Sequence, residues 1–426
     1  MKQIVTILLI SLALIFTGCN KSNTVMIAAG SSHSMAIKSD NSLWVWGENT
    51  FGQLGNGRQT LYEHSEIKEN NDLYTPEKIL EKITFIAAGD YFSLAINSKN
   101  ELFAWGQNNR GQLGNGTTVQ SNIPIKIMDD VVYVNAYQNT AIAIKKDKTL
   151  WLWGSDIRTF RHGLDNNNLT SPVKIMDNIK KAVLADSSII ILDNRNRLYG
   201  MGNVAYLGIN DTERNKYVST PQFILNKVRD VAACSQTIYA LRQNSELYGW
   251  GVNGFWAFDG SGGYIGNGSE ESWIYSPVLI TKKVKRIFSG YMFIKNDNSL
   301  WICGSIPGTF DYRTTVNGQG QYTGGSIMDS AMITYGNRPF KILNNAIFAS
   351  GSGFHSMAID KNGNLYTWGN NQFGQLGNGT SAVYEIAYAN IFTGEETKPD
   401  EGEPWPTLMQ SNNVLVPTIV DNLFVR

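Results

Sequence analysis

The 426-residue chain has only three cysteines, at positions 19, 234 and 303, and only four histidines. No cysteine cluster and no HExxH helix is present to hold zinc, and no GxSxG elbow presents a serine nucleophile. A chain of this size needs no disulfides to fold, so Cys234 and Cys303, both at interior-looking positions, read as buried thiols. Charge is also scarce. Charged residues make up 17%, and 36 basic side chains balance 36 acidic ones. A net charge of zero gives no electrostatic reason to expect nucleic acid or an acidic lipid surface as partner, though it leaves a local patch open. No window of helical length carries a 3.6-residue apolar stripe with caps, so very little helix is expected.

What is abundant is glycine, 41 residues without a collagen-like triplet, beside 11% aromatics. Both concentrate in a recurring stretch. Residues 366–379 read YTWGNNQFGQLGNG, residues 43–57 LWVWGENTFGQLGNG and residues 102–116 LFAWGQNNRGQLGNG. Worn copies of its first half end at Gly154, Gly202, Gly251 and Gly304, making seven with Gly47, Gly106 and Gly369. The closing glycines lie 59, 48, 48, 49, 53 and 65 residues apart, the spacing of a repeat architecture.

Each unit opens with a short apolar run ending in a small residue, such as VMIAAG at 25–30 or ITFIAAG at 83–89. An alternating strand follows, then a polar hairpin turn, then the aromatic strand. Pro76, Pro124, Pro172, Pro221, Pro277, Pro339 and Pro417 each introduce one more short strand, where proline is tolerated. Four short strands make a propeller blade. The chain enters at Val25 in mid-unit, and residues 416–423 supply a proline strand at the other end. The expectation is an all-β, seven-bladed β-propeller closed by pairing of the N- and C-terminal strands, the last strand completing the first blade. In GQLGNG, Leu54, Leu113 and Leu376 are expected to pin the loop onto the sheet. The absence of a following lysine and helix excludes a phosphate loop.

The pattern AAGxxHSxA, then WG, then GQLGNG resembles the RCC1-like repeat family. It is best matched at 28–57, 87–116 and 349–379, and the resemblance extends over about residues 25–423. It implies a seven-bladed β-propeller and a protein-binding role. It also implies that His33 and His355 are the family's structural histidines rather than ligands. Members of the family exchange guanine nucleotide on a nuclear GTPase, dock on chromatin, or, in one secreted bacterial case, inhibit β-lactamases. No residue match carries any of those partners across.

The N-terminus reads separately. Lys2 precedes an apolar run over residues 4–16, too short to cross a bilayer as a mature helix, and Cys19 follows directly. This resembles the lipobox of bacterial lipoproteins, with Phe16 where leucine is preferred. The division expected is a signal peptide over 1–18, a lipidated tether over 19–24 and the propeller over 25–426. The alternatives are an ordinary secretory signal with a free Cys19, or an uncleaved anchor.

Function is expected where the connections lengthen. From closing glycine to next proline the chain runs 29, 18, 18, 19, 26, 35 and 48 residues. The long insertions, near 58–75, 252–276, 305–338 and 380–416, belong to four consecutive blades of a closed ring and would wall one face. Neutral loop growth is the alternative. The candidate contact residues are Trp256, Trp273 and Tyr322 in the middle insertions, with Tyr384, Tyr388, Phe392 and Trp405 in the last. Residues 382–392 could form a short helix. The acidic run 385–403 lacks a calcium-loop spacing, so no metal and no cofactor is expected. These features describe a protein-binding scaffold of the bacterial cell envelope, without catalysis. Its partner would be an envelope or extracellular protein; no nucleic acid is expected, and membrane contact would run through the N-terminal lipid only. A glycan-binding surface, a polysaccharide-active enzyme and a secreted enzyme inhibitor are the alternatives. Cys19→Ala is expected to shift the protein from the membrane to the soluble fraction of its envelope; unchanged membrane retention would overturn the lipid anchor.

Overall fold

The computed structural model describes residues 23–63, 66–155, 168–253, 265–269, 271–303, 338–352 and 354–381, and the strands Thr314–Val316, Tyr322–Ser326 and Val414–Ile419. Seven four-stranded antiparallel sheets follow one another along the chain. Blade 1 contains Thr24–Ala29, His33–Lys38, Leu43–Gly47 and Leu73–Leu80. The others begin at Ile83, Val131, Ile179, Val228, Val284 and Ala346. Their first strands stand side by side around a central channel, and blade 7 packs against blade 1, so the ring is closed. The helical content among the described residues is one 3-10 turn, Val204–Tyr206.

The core lies between neighbouring sheets. Trp46, Trp105, Trp153, Trp250 and Trp368, from the aromatic strands, are fully buried there. Their indoles supply the seams. Trp105 Nε1 donates to Gln53 O of blade 1 at 2.9 Å, Trp153 Nε1 to Gln112 O of blade 2 at 2.9 Å, and Trp250 Nε1 to Tyr206 O of blade 4 at 3.0 Å. Each acceptor loop also carries a glycine pressed against the same ring. At Gly377, with φ +68°, an added Cβ would lie 2.8 Å from Trp46 Nε1. GQLG is thus the socket for the next blade's tryptophan, and Leu54, Leu113 and Leu376 are buried within it as expected.

Buried asparagines brace the sockets. Asn108 Oδ1 accepts from Leu113 N at 2.9 Å while its Nδ2 donates to Thr117 O at 3.0 Å; Asn49 and Asn371 repeat the arrangement. The sequence reading assigned these asparagines no role. It also missed that residues 265–268 are a worn socket. Asn253 Oδ1 accepts from Ile265 N at 2.9 Å, and a Cβ at Gly266 would lie 2.7 Å from Cys303 Sγ of blade 6.

Closure differs from the expected mode. Val414–Ile419 pairs with Leu365–Gly369 of its own unit, in the register Thr367↔Thr418 and Gly369↔Val414. Blade 1 is already complete with Leu73–Leu80. The terminal strands therefore share no sheet. The connection after each third strand returns a fourth strand to that strand's open edge, and the most local pairing satisfies the edge first. Side chains close the ring instead. Trp46 Nε1 and Ser34 Oγ both donate to Gln375 O at 2.8 Å, His355 Nε2 sits 2.7 Å from Ser34 Oγ, and Ala29 N donates to Ser350 Oγ at 3.2 Å. Trp46→Phe leaves a buried carbonyl short of its donor and is expected to cost about 1–3 kcal/mol in denaturant unfolding. A variant as stable as the parent would show that this indole does not hold the seam.

Candidate functional site

The two ends of the ring are built differently. At one end, the upper, lie the turns between first and second strands and the connections between third and fourth strands. The lower end carries the second-to-third hairpins and the links between blades. Each long insertion leaves and returns at the upper end, as the pairs Gly47↔Leu73, Gly251↔Ile274, Ile302↔Phe340 and Gly369↔Val414 show.

The insertion of blade 1 projects a β-hairpin, Leu61–Glu63 paired with Glu66–Glu69. Alternation places apolar side chains in solvent on it: Leu61, Tyr62 and Ile67 are 42%, 46% and 54% exposed. Its base is rigid. Asp72 Oδ1 accepts from Asn49 N at 2.8 Å and from Thr60 Oγ1 at 2.6 Å, and Asn71 Nδ2 donates to Gln59 O at 2.9 Å. Burial raises the Asp72 carboxyl, and burial together with Asp72 raises that of Glu48. Blade 2 is tied alongside through Gly57 N to Asn122 O at 2.9 Å and Asn122 Nδ2 to Gly57 O at 3.0 Å. Its neighbouring Val119 and Ile123 are exposed as well. The upper face therefore offers a braced apolar finger beside a second apolar strip.

The channel encloses about 710 Å³, lined by the first strands of all seven blades. At its upper rim Ser31 Oγ donates to Asp90 Oδ1 at 2.9 Å, and Gln236 Nε2 to Asp186 Oδ2 at 2.6 Å. Lower down, Lys181 and Asp230 pair at 2.5 Å. Burial opposes the Lys181 charge, but Asp230 outweighs it and the ammonium pKa sits above its ordinary value. Glu48 and Asp72, the carboxyl groups brought together on this face, lie outside the channel lining and are engaged in framing the finger. Among the described residues no group of His, Cys, Asp and Glu is arranged to hold a metal ion.

The candidate contact residues fare unequally. Trp273 opens the fourth strand of blade 5, half-buried. Its indole stacks on Tyr206 at 5.6 Å and Tyr275 at 5.8 Å, with the Arg214 guanidinium 4.4 Å from the ring centroid. It belongs to an interblade stack more than to an open platform. Tyr322 lies in the strand Tyr322–Ser326, whose side chains are not described. Trp256, Tyr384, Tyr388, Phe392 and Trp405 lie outside the described residues, as do Cys19 and the helix expected over 382–392. Leu61, Tyr62 and Ile67 were missed. Their signal was the alternation of LYEHSEIKE around a polar turn. Cys234 and Cys303 are free and buried, as expected, with burial raising their thiols to about 11 and about 12.

Two family models, both described as the regulator of chromosome condensation (RCC1) repeat, match the chain. One matches residues 26–53, 83–112 and 347–375, the other residues 40–96, 99–138 and 362–422. The chain thus carries RCC1 repeats, in the blades whose sockets are best preserved. Among curated proteins, the ultraviolet-B receptor UVR8 of Arabidopsis thaliana is 35% identical over 102 residues, covering 23% of this chain and 21% of the receptor. The probable E3 ubiquitin-protein ligase HERC6 of Homo sapiens is 36% identical over 100 residues, covering 22% of this chain and 9% of the ligase. The matched stretch therefore spans about a fifth or less of these relatives' lengths. Among solved structures, yeast RCC1 (Prp20) bound to Kap60 covers 93% of this chain and 74% of its own, at 18% identity and a TM-score of 0.49.

His33 and His355 illustrate how the repeat uses polar groups. His33 Nε2 lies 2.9 Å from Ser93 Oγ of blade 2, as His355 does from Ser34 of blade 1. Burial lowers His33 to about 3, assisted by the charge of His355, and burial lowers His355 to about 4. Both are neutral in the fold, whereas the unfolded chain takes up their protons near 6.5. Their contribution to stability is complete above that value and is lost as the pH falls toward the folded-state values. The raised Glu48, Asp72 and Asp90 act in the opposite sense. His33→Gln/His355→Gln is expected to lose less melting temperature than the parent between pH 6.5 and pH 4. Equal slopes would show that the pair does not set the acid response.

Proposed function

Proceeding from a chain that carries RCC1 repeats and folds as a seven-bladed propeller, we propose a protein-binding scaffold of the bacterial cell envelope. It is held by an N-terminal lipid at Cys19 and presents its upper face to a protein partner. The observation that carries this reading is the blade 1 finger, with Leu61, Tyr62 and Ile67 exposed on a hydrogen-bonded base. Exposed apolar side chains on a rigid support suit a protein interface, because their burial gains free energy with little ordering cost. The apolar Val119 and Ile123 beside the finger, and the exposed Phe354 in a blade 7 upper turn, extend the same surface. The RCC1-type propeller as a protein-interaction scaffold supports the class of function, and the signal-like N-terminus supports the location.

Glycan binding finds less support. Trp273, its described candidate, already has Tyr206, Tyr275 and Arg214 against its ring. A polysaccharide-active enzyme finds less support too, since the paired carboxyls Glu48 and Asp72 accept framework hydrogen bonds.

The test is affinity capture from native envelopes, read by mass spectrometry. Leu61→Ser/Tyr62→Ser/Ile67→Ser is expected to reduce recovery of the specific partner at least tenfold, the loss anticipated when about 1.4 kcal/mol of interface burial is removed. The melting temperature should not change, because the three side chains are in solvent. Undiminished capture by this variant, and by one lacking residues 382–410, would exclude the upper face as the binding surface.

A further inference from the structure

The lower end has its own chemistry. In every blade the first strand carries a β-bulge after its first residue, as in the jumps Thr24/Met26, Ile179/Lys181, Val228/Asp230 and Val284/Arg286. A bulge leaves its extra residue unpaired and turns that side chain out of the ladder. Seven bulges therefore place seven side chains around the lower mouth of the channel. In blades 4, 5 and 6 they are Lys180, Arg229 and Lys285, and the residues that follow are Lys181, Asp230 and Arg286. That is five cations against one carboxylate in three adjacent blades.

The lone carboxylate is taken by Lys181. The other cations lean on neutral oxygens: Lys180 Nζ on Asn196 Oδ1 at 2.9 Å, Arg229 Nη2 on Val284 O at 2.8 Å, Lys285 Nζ on Asn298 Oδ1 at 2.7 Å and Arg286 Nη1 on Ile347 O at 2.7 Å. Such contacts hold the cations in place without neutralising them. The bulge positions of blades 1, 3 and 7 are Val25, Val132 and Ile347, all exposed. The lower mouth is therefore cationic on one side and apolar on the other. The zero net charge of the whole chain conceals this sorting.

The N-terminal tether leaves from the same end. Asn23 O accepts from Ser39 N of the lower hairpin at 2.7 Å, and Asn23 lies four residues after Cys19. Four extended residues reach at most about 14 Å. An anchor at Cys19 brings the lower end, and no other, to the membrane surface, close to the range of about 8 Å over which its field acts at physiological salt.

We propose that the lower face is a second membrane contact: Lys180, Arg229, Lys285 and Arg286 engage the phosphates of anionic phospholipids while Val25, Val132 and Ile347 meet the interface. This rests on the N-terminal anchor proposed above and extends it. One lipid signal combined with a basic surface holds a protein at a bilayer more firmly than either alone. The contact also sets orientation, directing the finger away from the membrane toward a partner.

The experiment uses the full-length chain, recovered from envelopes and reconstituted into vesicles of phosphatidylcholine, with or without phosphatidylglycerol. Cys234 and Cys303 are buried, so a fluorophore can be directed to Gln243→Cys at the lower end or Thr118→Cys at the upper end. A headgroup spin label is expected to quench the lower site several-fold more than the upper, and only when phosphatidylglycerol is present. Lys180→Glu/Lys285→Glu is expected to abolish that preference, with the fold checked by near-ultraviolet circular dichroism. Equal quenching at both sites, or quenching indifferent to phosphatidylglycerol and to the double variant, overturns the contact. So does salt-sensitive capture of duplex DNA by this face without any response to vesicle charge. The mass of the N-terminal peptide reports the anchor separately. A lipidated Cys19 without charge-dependent quenching refutes the surface alone, and an unmodified Cys19 with retained flotation on phosphatidylglycerol vesicles refutes the anchor alone.

Discussion

The structure depends on one repeated contact, the indole N–H of one blade donating to a loop carbonyl of the blade before it. The contact requires three things at once: a tryptophan at the end of the aromatic strand, a buried asparagine to shape the receiving loop, and a glycine where any side chain would strike the ring. Trp46, Asn371 and Gly377 supply them at the junction of the last and first blades. Ring closure is thus the same contact made between the chain's two ends. Propeller blades stacked in this way share their cores, because the buried face of each sheet is completed only by its neighbour.

Where the contact has worn down, the geometry survives with other atoms. Met201 and Cys303 stand where other blades carry tryptophan. Gly266 still presses against Cys303, and Asn253 still holds Ile265. A socket that no longer receives an indole keeps its backbone because the loop's own buried amides still need partners. The eroded units therefore remain blades. Their connections are free to lengthen at the upper end, where added chain disturbs no seam.

This arrangement separates framework from surface and one face from the other. The upper end collects connections, including the apolar finger; the lower end collects short turns, bulges and the tether. An overall balance of 36 basic and 36 acidic residues coexists with a lower mouth that is locally cationic. Composition could exclude a globally basic protein. It could not show that Lys180, Arg229 and Lys285, about fifty residues apart in sequence, meet on one rim.

Much of the fold was legible because it is periodic. Seven aromatic strands ending in glycine, proline-marked fourth strands and the leucines of GQLG each report a local requirement of turn, strand or burial. The docking of the last strand was not legible, since a strand's own residues do not say which of two open edges it will fill. The site was less legible still. Trp273 reads as an exposed aromatic in an insertion, yet Tyr206 and Arg214, about 60 residues away in sequence, cover its ring. The amino-acid sequence by itself determined the number of blades, the strands within them and the residues that must be buried, because these follow from spacing and side-chain chemistry along the chain. Only the tertiary structure decided how the ring closes, which apolar side chains stay in solvent and where charge gathers, because those depend on residues distant in sequence arriving at the same surface.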